Sequence, residues 1–66
     1  MEIVVNGQKR VLKEGTTLKN LVEQLGIEQK VMAVAVNMQI VKTQHWSSHK
    51  LKDKDKVELL HFVGGG

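Results

Sequence analysis

The chain has 66 residues, with ten Lys and Arg against seven Asp and Glu, a net charge of +3, and neither cysteine nor proline. So short a chain forms one domain, residues 1–66, which buries only about 60% of its unfolded surface, and without Cys it has no disulfide and no thiolate cluster for a structural zinc. Its lysines alternate with acids, as in "KLKDKDK", which describes a solvated surface rather than the clustered basic face of a nucleic-acid binder.

Only Trp46 and Phe62 could stack on bases, and single-strand binders rely on several aromatics. Nucleic acid is therefore not an expected partner. No apolar run approaches the roughly 20 residues needed to cross a bilayer. The start, "MEIVVNGQKR", lacks the charged region and apolar stretch of a signal peptide. The expectation is a cytoplasmic protein with no membrane partner, stabilised by a small aliphatic core.

In chain order, Ile3 to Val5 and Lys9 to Leu12 flank Asn6-Gly7. Both central residues of a type I′ turn need positive φ, which Asn-Gly tolerates best, so these runs predict a hairpin. Leu18, Leu21, Val22 and Leu25 then recur at i, i+3, i+4 and i+7, the apolar face of a helix. Thr16 or Thr17 can cap its start through a hydroxyl oxygen, and Gly26 stands where a left-handed residue ends a helix.

Val31 to Val36 run apolar without interruption, which predicts a strand covered on both faces. "MQIV" is a short strand at most, and "KTQHWSSHK" a loop with a helical turn that folds Trp46 back onto the core. Leu51 precedes a polar turn, and "VELLHFV" is a last strand with imperfect alternation. Hairpin, helix, strand, short strand, loop and strand together predict an α+β fold, a mixed sheet with one helix packed across it.

The last strand leads directly into Gly64, Gly65 and Gly66, expected to form a flexible tail over 64–66. Glycine lets backbone enter a channel too narrow for side chains, and three extended residues reach roughly 10 Å. Ordering them costs on the order of 1–2 kcal/mol each, so a partner must recover that through backbone hydrogen bonds and the body of the domain. A terminal carboxylate is ionised at neutral pH. It could attack the α-phosphate of ATP and become an acyl adenylate without any catalytic residue of this chain. The alternative is a frayed end or a cloning remnant.

The segments "IVVNGQ", "GTTLKNLVEQLGI", "AVAVN", "QIV", "HW" and "LKDKDKVELLHFVGGG" occur in that order. Over nearly the whole chain they resemble the ThiS family, the sulfur carriers of thiamine biosynthesis. "AVAVN…IV" with the glycine end is the specific part; the hairpin and helix alone are not.

The resemblance implies the ubiquitin-like β-grasp fold, with first and last strands parallel at the sheet centre. It implies a carrier rather than an enzyme, a monomer on its own, with no cofactor of its own. Gly66 would be adenylated by a ThiF-like adenylyltransferase using ATP and Mg. Sulfur from a persulfide donor, such as a cysteine desulfurase, would turn it into a thiocarboxylate for delivery to a thiazole synthase of the ThiG kind. Gly64 and Gly65 would be recognised as the tail.

Two positions depart from the family pattern. The turn before the last strand, usually Asp-Gly-Asp, is Asp53-Lys54-Asp55, where Lys54 takes positive φ less cheaply than glycine. Lys42 stands where a proline is common.

Since glycines supply no specificity, Phe62 with Leu59 or Leu60 is expected to form an apolar partner surface beside the tail. His45 and His49 have the i, i+4 spacing of a zinc pair, but only Asp53 and Asp55 are near in sequence to complete a site, and no metal is expected. His61 has no Ser, Cys or carboxylate pair with which to build a nucleophilic triad. Other readings compatible with the sequence are a MoaD-like carrier for molybdopterin synthesis, a ubiquitin-like protein modifier, and a TGS-type regulatory module; the last needs no glycine end.

Overall fold

The computed structural model describes residues 1–27 and 31–61, with the side chains of residues 31, 32 and 61 left out. Its elements are β1 (Glu2–Val5), β2 (Gln8–Val11), α1 (Leu18–Gln24), β3 (Val31–Val36), β4 (Gln39–Val41), a 3-10 turn (Thr43–His45) and β5 (Lys56–His61). They form a five-stranded sheet in the order β2-β1-β5-β3-β4. β5 pairs parallel with β1 and antiparallel with β3. The last strand is thus central, beside the first, as the β-grasp expectation requires.

Local chemistry accounts for most elements. Asn6 and Gly7 both have positive φ, 47° and 83°, the type I′ signature that matches the twist of the flanking strands. Helix α1 has only seven residues, too few to persist alone in water. Its ends are closed by hydrogen bonds instead. The Thr17 hydroxyl accepts from the Asn20 amide at 3.1 Å, and the Asn20 side chain accepts from the Thr17 amide at 3.3 Å. This is a capping box with Asn in place of Glu or Gln.

Two further N–H groups of the first turn donate to loop carbonyls, Leu18 to His49 at 2.8 Å and Lys19 to Trp46 at 3.1 Å. At the other end Gly26, at φ 69°, donates to Glu23, and Ile27 to Val22, the paired bonds of a Schellman end.

Alternation sorts the sheet into two faces. Ile3 and Val5, Val34 and Val36, and Val57 and Leu59 point to the helix and are buried with Leu18, Leu21, Val22, Trp46 and Leu51. Trp46 keeps its polar end satisfied, its Nε1 donating to the Val41 carbonyl at 2.9 Å. Every buried side-chain nitrogen and oxygen among the described residues has a partner.

The continuous apolar run of β3 does not mean cover on both faces. Its outward positions are Ala33 and Ala35, which are only half-buried, because the helix lies across one face of the sheet alone. Small apolar residues fill the open side and make a one-sided strand read as a two-sided one.

The Asp53-Lys54-Asp55 turn keeps its left-handed residue without glycine: Lys54 has φ 72°. The turn is held from both sides. The Lys54 amide donates to the Glu2 carbonyl at 2.6 Å, and the Glu2 amide to Asp53 Oδ1 at 2.7 Å. Asp55, buried, accepts from the Lys52 amide and from Asn37 Nδ2.

A left-handed non-glycine residue costs about 1–2 kcal/mol, more than the extra chain entropy glycine brings to the unfolded state, roughly 0.4–1 kcal/mol. Lys54→Gly is therefore expected to stabilise the domain by about 0.5–1 kcal/mol, read from denaturant unfolding. Unchanged or lower stability would show that the Lys54 side chain contributes something the backbone geometry does not reveal.

Candidate functional site

The tail and the strand before it carry the expected chemistry. Phe62 and Gly64, Gly65 and Gly66 lie outside the described residues, as does the side chain of His61. What the fold settles is where that segment starts. It follows β5, the central strand, at the end of the sheet where the Asn6–Gly7 turn stands, since β1 and β5 run in the same direction.

β5 also decides which leucine faces out. Leu59 pairs with Val34 and is 5% exposed within the core, which removes it from the expected partner surface. Leu60 pairs with Ala33 on the open face and is 57% exposed. Ile40 pairs with Ala35 and is also exposed. Leu60, Ala33, Ala35 and Ile40 therefore share one side of the sheet. Reading the last strand alone missed Ile40, because a three-residue edge strand gives too few positions for alternation to declare its outward side.

The end of β5 is tied to the first hairpin by a side chain. The Asn6 amide N–H donates to the Val57 carbonyl at 2.9 Å. One step further along, the Leu59 amide donates to Asn6 Oδ1 at 2.8 Å, and Asn6 Nδ2 reaches the Leu59 carbonyl at 3.4 Å. In a continuing parallel ladder that Leu59 N–H would go to the main-chain carbonyl of Asn6. The main chain has already turned away there, and the carboxamide stands in for the missing peptide group. The sequence signal, Asn before Gly, spoke only of the turn.

A second asparagine works at the other end of the strand. Asn37, at φ 51°, accepts from the Lys56 amide at 2.9 Å and donates to Asp55 Oδ1 at 2.9 Å.

The two histidines with zinc-pair spacing do not share a helix. The 3-10 turn ends at His45, and His49 lies beyond it, its carbonyl taken by the Leu18 amide. Among the described residues no three His, Cys, Asp or Glu side chains gather to hold a metal ion. A shallow hollow of about 330 Å³ between α1 and the 3-10 turn is lined by Lys19, Val22, Thr43, Gln44, Trp46 and Ser47. None of these belongs to β5, so the hollow is separate from the strand that leads to the tail. Among the described residues no helix is long and apolar enough to cross a membrane.

A five-stranded mixed sheet with one helix across it, and parallel first and last strands at its centre, defines a ubiquitin-like β-grasp protein. Within that class the pattern of the ThiS family matches residues 1–66, and the chain belongs to that family. The sulfur carrier protein ThiS of Escherichia coli K12 is 36% identical over 66 residues, covering 100% of both chains. A thiazole synthase of Paramagnetospirillum magneticum is 33% identical over the same length; this chain aligns in full but spans only 20% of that protein. Among solved structures, the crystal structure of the thiamine biosynthesis protein ThiS from Geobacter metallireducens superposes with a TM-score of 0.82 at 28% identity, covering 100% of each chain.

Proposed function

We propose that this chain is a sulfur carrier for thiazole synthesis in thiamine biosynthesis, with the carboxylate of Gly66 as the group that is activated and loaded. The observation that carries the reading is the end-to-end match to a ThiS carrier, together with three glycines that follow the central strand in the sequence.

The chemistry requires little of the chain itself. An oxygen of the Gly66 carboxylate attacks the α-phosphorus of ATP, and pyrophosphate leaves. A ThiF-like adenylyltransferase supplies the ATP site and its Mg. The terminal sulfur of a persulfide donor, such as that of a cysteine desulfurase, then attacks the acyl carbon and AMP leaves. A thiol cleaves the resulting acyl disulfide, carrying the donor's sulfur into a new disulfide and leaving the thiocarboxylate on Gly66. The recipient is a thiazole synthase; that such synthases carry a segment resembling this chain supports that partner. Gly64 and Gly65 thread the partner's channel, and the sulfur is held on the terminus, a reading that fits a chain without cysteine.

The test is direct. With a ThiF-type enzyme, Mg-ATP and a persulfide donor, the intact mass of the chain should rise by the difference between a sulfur and an oxygen atom. An unchanged mass with an enzyme proven active on another carrier would refute the reading.

The open face of the sheet supplies the specificity that glycines cannot. Leu60, joined there by Ile40, with Phe62 two residues further along, is proposed to meet the activating enzyme. Leu60→Ala removes exposed surface, so stability should change by less than about 0.5 kcal/mol. Affinity for the enzyme should fall roughly tenfold, about 1.4 kcal/mol. Titration with the purified enzyme reads both sides of this; unaltered affinity would clear Leu60 of the role.

A further inference from the structure

We infer that Asn6 is a positioning residue for the tail: its carboxamide holds β5 at Leu59, on the side toward β1, and so steadies the strand from which the segment to Gly66 departs. The inference rests on the proposed role of Gly66 and adds a residue to it.

Asn6 and Leu59 are far apart in sequence but meet through two hydrogen bonds, Leu59 N–H to Oδ1 at 2.8 Å and Nδ2–H to the Leu59 carbonyl at 3.4 Å. The first is short and well made; the second is long and weaker. They matter because of where they fall. The last pairing of β5 with β1 is Val5 with Val57, and beyond it the main chain of β1 turns off at Asn6, φ 47°. On that side of β5 the carboxamide is what continues the ladder to Leu59.

Gly66 lies seven positions beyond Leu59, at most roughly 24 Å of chain. A change in where β5 ends therefore moves the point from which the partner must draw the carboxylate into place. Displacements near 1 Å already cost about a hundredfold where reacting groups must be aligned, though a partner that grips the tail recovers part of this.

The turn and the clamp can be separated by substitution. Asn6→Gly keeps a residue at ease with positive φ, so the hairpin stays, but it removes both side-chain bonds. Asn37→Gly is the matching control. It too keeps a left-handed turn residue and removes an asparagine clamp on β5, but at Lys56, the end away from the tail. It also takes a donor from the buried Asp55, so its stability loss should be at least as large.

The experiment measures kcat and KM of the carrier with a ThiF-type enzyme and Mg-ATP, alongside unfolding of each variant. Asn6→Gly should lower kcat/KM roughly tenfold and Asn37→Gly less than twofold. Asn6→Asp, which keeps an acceptor for the Leu59 amide, should recover most of the loss. Wild-type kcat/KM in Asn6→Gly, or an equal loss in Asn37→Gly, would overturn the inference while leaving the carrier function standing. An inert wild-type chain would remove the carrier function, and this inference with it.

Discussion

A chain lacking Gly66 should fold normally and yet be almost inert toward a ThiF-type adenylyltransferase. Deleting one residue moves the carboxylate back by roughly 3.5 Å. The reaction needs the attacking oxygen in line with the α-phosphorus, and misplacement by even 1 Å can cost about a hundredfold in rate. Residual adenylation should therefore fall below about 1% of the full-length rate. The fold should be indifferent, because Gly66 has no side chain to give to the core, and among the described residues the buried core ends at Leu59.

Two companion changes separate position from chemistry. Amidation of the C-terminus keeps the length and removes the anionic nucleophile, and should abolish the reaction equally. Gly65→Ala keeps both, but its methyl group meets the wall of a channel fitted to bare backbone, and should raise KM. Intact mass after incubation with the enzyme and Mg-ATP reads all three. Adenylation of the truncated or amidated chain would place the reacting group elsewhere and end the carrier reading.

Leu21→Ala should cost roughly 2–5 kcal/mol of folding stability, the range for emptying a fully buried leucine site. Leu21 is completely buried at the centre of the face that α1 turns to the sheet. The helix cannot compensate, since seven residues have little stability apart from their packing. Small domains have total stabilities near the low end of about 5–15 kcal/mol, so this one substitution would leave a substantial unfolded fraction at room temperature. Denaturant unfolding gives the value. A loss below about 1 kcal/mol would mean that the helix does not depend on this contact, contrary to its burial.

Short-range chemistry was legible from residues alone. Asn6-Gly7 specified a hairpin because few other pairs accept two positive φ values in a row. The spacing of Leu18, Leu21 and Val22 specified a helix and its buried side, and Gly26 its end. The glycine tail raised the question of an activated carboxylate, and the ordered segments from "IVVNGQ" to "VGGG" pointed to the family.

Other features needed the tertiary structure, because they depend on contacts between distant parts of the chain. In "VELLHFV" either leucine could have faced the core; pairing with β1 and β3 placed Leu59 inside and Leu60 outside. The apolar run of β3 could not reveal that one helix leaves its alanines on an open face. Lys54 could have escaped positive φ through another turn type, yet its bonds to the start of β1 hold it there. Nor could the sequence show that Asn6 and Asn37 reach across to opposite ends of β5. A side chain's choice between its own turn and a remote strand is settled only when the sheet closes, and closure is a property of the whole fold.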